Sequence, residues 1–295
     1  SHHQRRFTMI INWYPGHMAK AKRLIQENLK IIDVVIELVD ARIPMSSTNP
    51  MIKSLIGDKP SVVVLNKADL ADPAVLDEWV AYYKQQGRKV LALNSKGGKG
   101  VKQLISLVRS LAAPKLARWK ARGLKNRAVR TMILGIPNVG KSTLINKLSR
   151  RSAAKTADKP GETKGKQWVH IGDQLDLLDT PGVLWPKLEN QVSAYRLAAT
   201  GAISDTVFDM ETVIMQLIEQ LSDQYPDELK ARYKLETLCD KPLDTIEAIG
   251  RKRGCIVSGG VVDLEKTYKL ILKEFREGKI GAISLDRLGE WEGED

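Results

Sequence analysis

The sequence predicts an α/β domain built on a mainly parallel sheet, followed by a small all-helical domain. Three observations carry this reading. Short Val- and Leu-rich runs at 33–40 (DVVIELVD), 61–66 (SVVVLN) and 89–94 (KVLALN) each end in a polar turn, the pattern of strands buried on both faces. The segments between them, 72–86 and 100–111, place Leu76, Trp79, Val80 and Tyr83, and then Val101, Leu104, Ile105 and Val108, at helical spacing, which gives βαβ alternation. Beyond about residue 187 the strand signal stops, and amphipathic helices are expected over 192–200, 209–224, 226–238, 244–250 and 263–277.

Between these blocks, TMILGIPN predicts a fourth strand running into a helix at GKSTLINKLS, and KQWVHIG and QLDLLDTPG predict two more strands. The expected organisation is a first domain over 9–186 with a linker at 112–130, a helical domain over 187–289 and an acidic tail at 290–295. Residues 1–8 lack the apolar core of a secretory signal and read as an expression remnant before a native start at Met9, so His2 and His3 are set aside as ligands. The apolar runs fall far short of the roughly 20 residues needed to cross a bilayer. Cys239 and Cys255 have neither metal spacing nor nearby histidines, which points to a reducing, cytoplasmic setting.

Charge is unevenly spread. The formal net charge is +12, with 32 basic against 14 acidic residues through Gly182 and 15 against 21 after it. Residues 99–166 hold 18 basic residues and two acidic ones, Asp158 and Glu162. The densest stretch, 113–130, carries Lys115, Arg118, Lys120, Arg122, Lys125, Arg127 and Arg130 with no acid. Such a cluster is either a polyanion-binding face, with nucleic acid the leading class, or a solvated linker helix.

The chemistry sits at the strand ends. GIPNVGKST at 135–143 fits Gly, four residues, Gly, Lys and Ser/Thr between a strand and a helix, a phosphate-binding loop. There Gly135 and Gly140 let the backbone approach the phosphates, and Asn138, Val139, Gly140 and Thr143 contribute the N–H cradle. Lys141 would reach the β- and γ-oxygens, and Ser142 would supply a hydroxyl to Mg²⁺. NKAD at 66–69 ends another parallel strand, where ligands of open α/β sheets bind. The Asp69 carboxylate can accept from guanine N1–H and the 2-amino group, a donor pair that adenine lacks, so GTP is selected over ATP. Asn66 would tie neighbouring loops, the Lys67 stem would cover the base, and Ala68 lies between them. Asn94, Ser95 and Lys96 end the third strand near the guanine O6. DTPG at 179–182 puts Asp179 near Mg²⁺ and the Gly182 N–H near the γ-phosphate. Thr163, in the glycine-bounded loop between these motifs, is the expected switch threonine for Mg²⁺ and γ-phosphate.

NKAD, NSK, GIPNVGKST, the threonine and DTPG are the five GTPase elements, but the guanine-reading pair precedes the phosphate-binding three. That order is a circular permutation. With INWYPGHMAKA at 11–21, DARIPMSSTNP at 40–50 and KRGCIVSGG at 252–260, the chain resembles the ribosome biogenesis GTPase A family of bacteria from Met9 to about Leu288. The resemblance implies a circularly permuted Ras-like P-loop GTPase domain followed by a small all-α, RNA-binding domain. It also implies GTP and GDP as ligands and action in late assembly of the large ribosomal subunit. No membrane partner is expected, and the chain reads as a monomer.

The residue after the DxxG glycine, often a water-orienting glutamine in Ras-like enzymes, is Val183. A hydrophobic side chain cannot position water, so another group must. His17 is one candidate, unless it only packs in the Trp-Pro-Gly turn. The other is K⁺ at Asn138, an asparagine that resembles the one marking potassium-dependent GTPases, unless it is only a turn residue. Both can act together with Lys141 and Thr163. In the helical domain, Arg251, Lys252 and Arg253, and the helical stripe of Lys266, Lys269, Lys273 and Arg276, suggest RNA-phosphate contact or a solvated face. The expected function is a GTPase, stimulated by the ribosomal particle, that binds it in the GTP state and leaves after hydrolysis. The alternative is an rRNA-binding scaffold that holds GTP without hydrolysing it.

Overall fold

A computed structural model describes residues 15–94, 96, 98, 100–125, 127–151, 168–178 and 190–291. Its first part is a six-stranded sheet. The strands are β1 (Val34–Asp40), β2 (Ser61–Asn66), β3 (Lys89–Leu93), β4 (Val129–Leu134), β5 (Trp168–Ile171) and β6 (Leu175–Leu178), in the order β3-β2-β1-β4-β6-β5. All neighbouring pairs run parallel except β5 and β6, which form an antiparallel edge ribbon. The phosphate-loop strand, fourth in the chain, thus lies beside the first, near the middle of the sheet.

Burial on both faces explains why the central strands are mostly apolar, with Glu37 of β1 the exception, buried and held by Thr48 and Arg88. In β1, Val34, Ile36 and Leu38 face the cluster that includes Leu104 and Val108 of α4 (Val101–Ala121). Val35 faces the opposite side, against Ile25 and Leu29 of α1 (Pro15–Leu29) and Ile52 and Leu55 of α2 (Met51–Ile56). Val63 and Leu65 of β2 pack with Trp79 and Tyr83 of α3 (Pro73–Gln85). A strand covered on both faces has no room for polar alternation. The start of α3 is set by Asp72, whose side chain accepts from the Ala74 N–H, with Pro73 at the first helical position.

The second part is helical: α6 (Gln191–Thr200), α7 (Met210–Gln224), α8 (Pro226–Tyr233), α9 (Pro242–Lys252) and α10 (Leu264–Arg276), preceded by α5 (Lys141–Arg151) of the first domain. Its apolar faces join the sheet-side cluster through Leu197, Ala198, Ile214, Ile271 and Leu285. A short ribbon, β7 (Ile256–Val257) and β8 (Val261–Val262), departs from the all-helical expectation. Gly259 and Gly260, with φ of 88° and 74°, make its turn.

The segment expected as a linker, 112–130, is half helix. Helix α4 continues through Pro114 to Ala121, and the return to β4 is fixed by one carboxylate. Asp33, just before β1, accepts from Lys115 Nζ at 2.6 Å, Arg127 Nη1 at 2.7 Å, Arg127 Nη2 at 3.0 Å and the Arg130 N–H at 2.9 Å. The Arg127 guanidinium also lies 4.3 Å from the Trp119 ring centroid, a cation–π contact. Burial pushes the Asp33 carboxyl up, but the hydrogen bonds from Arg127, Lys115 and Arg130 outweigh it and hold it below the ordinary carboxylate value.

A depressed folded-state pKa stabilises the protein above the unfolded value of about 4 and loses that contribution as pH falls through the folded value. Replacing Asp33 by Ala should lower unfolding stability by about 2 kcal/mol at neutral pH in denaturant titrations, since its partners are half-exposed and regain water. Asp33→Asn should flatten the loss of stability below about pH 4 relative to the wild type.

Candidate nucleotide site

Three adjacent strand ends meet in register. Asp40 lies opposite Asn66, and Asn66 opposite Leu93, at the carboxyl edge of the sheet. There the Ala41 N–H donates to the Asn66 carbonyl at 2.8 Å, and Lys67 takes a left-handed turn with φ 60°. A short 3₁₀ turn, Ala68–Leu70, follows and leaves Asp69 exposed to a ligand.

The phosphate-binding loop connects β4 to α5 across the end of β1. A Cβ on Gly135 would lie 2.9 Å from the Leu38 carbonyl oxygen and 3.3 Å from Val139 Cγ2, so a side chain there would push the loop off the strand. Asn138 and Gly140 both have positive φ, 64° and 102°, which turns successive N–H groups inward ahead of α5. Ile136 and Val139 are buried and anchor the loop from below. Ser142 and Thr143 are exposed in the first turn of α5, and Lys141 is half-buried. This arrangement can present backbone N–H groups to an anion at a helix N-terminus, with the Ser142 hydroxyl exposed beside it.

One hydrogen bond unites the two halves. The Asn66 side chain is fully buried, and its Nδ2 donates to the Val139 carbonyl at 2.9 Å. The carboxyl end of β2 and the 135–140 loop are therefore joined directly. Lys67 is half-buried beside Asp40. Desolvation lowers its pKa, and the Asp40 carboxylate partly offsets this. Asp40 itself is fully buried. Burial raises its pKa, but the charge and hydrogen bonds of Arg42 outweigh this and keep it below the ordinary value.

The remaining expected residues divide. Asn94 is half-buried and Lys96 exposed at the end of β3. Ser95, Thr163, Asp179, Gly182 and Val183 lie outside the described residues, as do the 183–190 boundary up to 189 and the last four residues. His17 is in the first turn of α1, but its side chain is outside what is described.

The basic residues also divide. Lys115 and Arg127 are committed to Asp33. Arg253 and Arg232 hold Glu274 at 2.7 and 2.6 Å. Arg276 turns away from the Lys266, Lys269 and Lys273 face, donating to the carbonyls of Ala198 and Ala199 and pairing with Asp205 at 2.7 Å. Arg251 donates to the Gly260 carbonyl at 3.2 Å, and Arg130 is half-buried near the Trp168 ring. Arg118, Lys120, Arg122, Lys125, Lys252, Lys266, Lys269 and Lys273 are exposed. The basic surface is thus narrower than the spacing suggests, because four of its members are counter-ions of buried or half-buried acids and helix carbonyls.

Sequence reasoning gave no role to Asp40, Arg42, Ser46, Arg196 and Asp286. The visible signal was the DARIPMSS segment, an Asp-x-Arg pair at the end of a mostly apolar strand.

Removing the Asn66 amide leaves the buried Val139 carbonyl without its partner, a loss of about 1–3 kcal/mol. Asn66→Ala should therefore weaken GDP binding by about tenfold or more in fluorescence titrations, with little change in the far-UV circular dichroism spectrum.

Comparison with known proteins agrees with this geometry. A protein-family model described as a 50S ribosome-binding GTPase matches residues 130–243. The chain is 50% identical over 285 residues to ribosome biogenesis GTPase A of Priestia megaterium, covering 96% of this chain and 99% of that one. It is 32% identical to mouse mitochondrial ribosome-associated GTPase 1, covering 94% and 90%. A solved structure of GNP-bound YlqF from Thermotoga maritima superposes with a TM-score of 0.63 at 29% identity, covering 91% of this chain and 98% of that one. A GDP-bound YlqF structure gives 0.64 at 27%, covering 90% and 99%. With close identity along nearly its whole length, a permuted GTPase sheet and a helical carboxyl part, the chain belongs to the ribosome biogenesis GTPase A family.

Proposed function

We propose that this GTPase binds the assembling large ribosomal subunit in its GTP state, promotes late maturation and leaves after hydrolysis. The Asn66–Val139 hydrogen bond carries the nucleotide half of this reading, since it makes base and phosphate recognition one device. Lys141 and the N–H groups of 138–143 would hold the phosphates, and Asp69 the guanine. Ser142, with Thr163 and Asp179, would hold Mg²⁺, which neutralises charge on the phosphate oxygens when bound. With Val183 in place of a glutamine, His17 is the proposed group that orients the attacking water, and K⁺ at Asn138 the proposed extra positive charge. Particle binding would stimulate hydrolysis by ordering these groups.

The partner side of the proposal rests on charge and on the names of the relatives, whose ribosomal association supports an rRNA and ribosomal-protein partner here. The exposed cations Arg118, Lys120, Arg122 and Lys125, with Lys252, Lys266, Lys269 and Lys273, are the proposed RNA-phosphate contacts. Among the described residues no helix is long and apolar enough to cross a membrane. A cytoplasmic monomer is the proposed form.

Sedimentation with large-subunit particles under GTP, GDP and a non-hydrolysable analogue tests the cycle. Pelleting should be strong with GTP and the analogue and weak with GDP, and equal pelleting in all three would refute it. Reversing the charges of Arg118, Lys120, Arg122 and Lys125 should weaken pelleting and flatten its salt dependence.

In the presence of particles, His17→Ala should slow phosphate release at least about tenfold while GTP affinity holds, and exchanging K⁺ for Na⁺ should slow it independently. Absence of phosphate release from the wild type, with or without particles, would favour the non-hydrolysing scaffold instead.

A further inference from the structure

We infer that the carboxyl-terminal segment 278–286 is part of the guanine-reading device, and that Asp286 and Ser46 are positioning residues for base specificity. The inference rests on the reading of Asp69 as the carboxylate that accepts from guanine. It concerns what holds that carboxylate in place.

Asp69 is exposed, so its position is set by the backbone on either side. On the amino side, Asn66 is fixed by Val139 and by the Ala41 N–H. On the carboxyl side the anchors come from the end of the helical domain, more than 200 residues later. The Leu70 carbonyl accepts from the Ile283 N–H at 3.1 Å, and the Asp72 N–H donates to Ser284 Oγ at 3.0 Å. Gly278, with φ +76°, passes so close that a Cβ there would lie 2.8 Å from Leu70 Cδ2. The residue directly after Asp69 is therefore pinned by this segment.

The same segment grips the neighbouring loop. The Arg42 carbonyl accepts from the N–H groups of Leu285 and Asp286 at 3.0 and 3.2 Å. The Asp286 side chain, wholly buried, accepts from the Ser46 N–H at 2.8 Å, Ser46 Oγ at 2.6 Å and Arg196 Nη1 of α6 at 3.1 Å. Arg42, 2% exposed, pairs with Asp40 at 2.8 Å and reaches the Thr200 carbonyl at 3.4 Å. Two buried cations and two buried anions thus tie the loop after β1 to α6 and to the returning chain, while the same returning chain holds the loop after β2 through the Ile283 N–H and the Ser284 hydroxyl. A two-bond contact from a carboxylate to a base needs placement within about half an ångström, which a free five-residue loop cannot maintain. Because coupling is reciprocal, whatever displaces the helical domain also alters base affinity.

The test compares GDP with IDP, whose hypoxanthine lacks the 2-amino group, by fluorescence titration of the full chain. Wild type should prefer GDP by about tenfold or more, the scale of one hydrogen bond to a charged group. Asp286→Ala should raise the GDP Kd at least about fivefold and the IDP Kd less, narrowing the preference about threefold; Ser46→Ala should do the same more weakly. Should Asp286→Ala fail to fold, Ser46→Ala decides, because it removes one hydroxyl and leaves the Arg196 pair intact. Equal weakening of both nucleotides, or none, would show a merely structural segment and overturn the inference. Asp69→Asn separates the two layers: its amide can donate to the 2-carbonyl of xanthine, so preference should move from GDP toward XDP. If it does not, the reading of Asp69 fails; if it does while the Asp286 and Ser46 variants keep the GDP/IDP ratio, only the present inference fails.

Discussion

The hydrogen bond from Asn66 to the Val139 carbonyl depends on unequal strand lengths. In the sheet, β1 lies between β2 and β4, so Asn66 must reach across a whole strand to touch the phosphate-binding loop. It can because β4 ends at Leu134, opposite Glu37, three residues before β1 ends at Asp40. The loop then folds back over the last turns of β1, close enough that Gly135 has no space for a side chain beside Leu38. A bulkier residue at 135 or a longer β4 would lift Val139 out of reach and leave its buried carbonyl without the Asn66 amide.

The two edges of the sheet have opposite roles, and the permutation depends on that. At the amino edge Asp33 gathers Lys115, Arg127 and the Arg130 N–H, so α4 and β4, which the permuted chain order must join, are closed by ion pairs rather than by a slack connection. At the carboxyl edge the strand ends open into the nucleotide site, as expected for an open α/β sheet. Closing the amino edge tightly leaves the carboxyl edge free to accept a ligand and a second domain.

Legibility followed the range of the interactions. The strands at 34–40, 61–66 and 89–93 were readable because burial on both faces leaves a continuous Val and Leu run, and GIPNVGKST was readable because its glycines answer to local backbone geometry. Helical spacing was legible only to residue 111, because Pro114 and a basic run interrupt the apolar pattern there, whereas α4 runs on to Ala121. What keeps that segment helical and docked is Asp33, 82 residues away from Lys115. The tie between the loop after β1 and the returning chain was hidden for the same reason: Ser46 and Asp286 are 240 residues apart, and neither sits in a motif of its own. Local periodicity carries no trace of a partner that distant. The β7–β8 ribbon was missed because two-residue strands show no alternation, although its Gly259 and Gly260 turn was visible.

Counting charges along a chain overstates the surface available to a polyanion, and this fold shows by what route. Asp33, Glu274 and Asp205 each hold a basic side chain that lies in one of the runs suggesting an RNA face. A guanidinium that is bidentate to a carboxylate has its donors directed inward, and releasing it to meet a phosphate would remove part of that acid's compensation. That exchange is unfavourable for Arg253, because Glu274 is nearly buried, and for Arg127, because Asp33 is. It is less so for Arg276, whose partner Asp205 is half exposed. This chain therefore carries two populations of cation, one fastening the fold and one facing outward. The net acidity of the helical part does not prevent an outward basic strip, since Lys252, Lys266, Lys269 and Lys273 are all exposed.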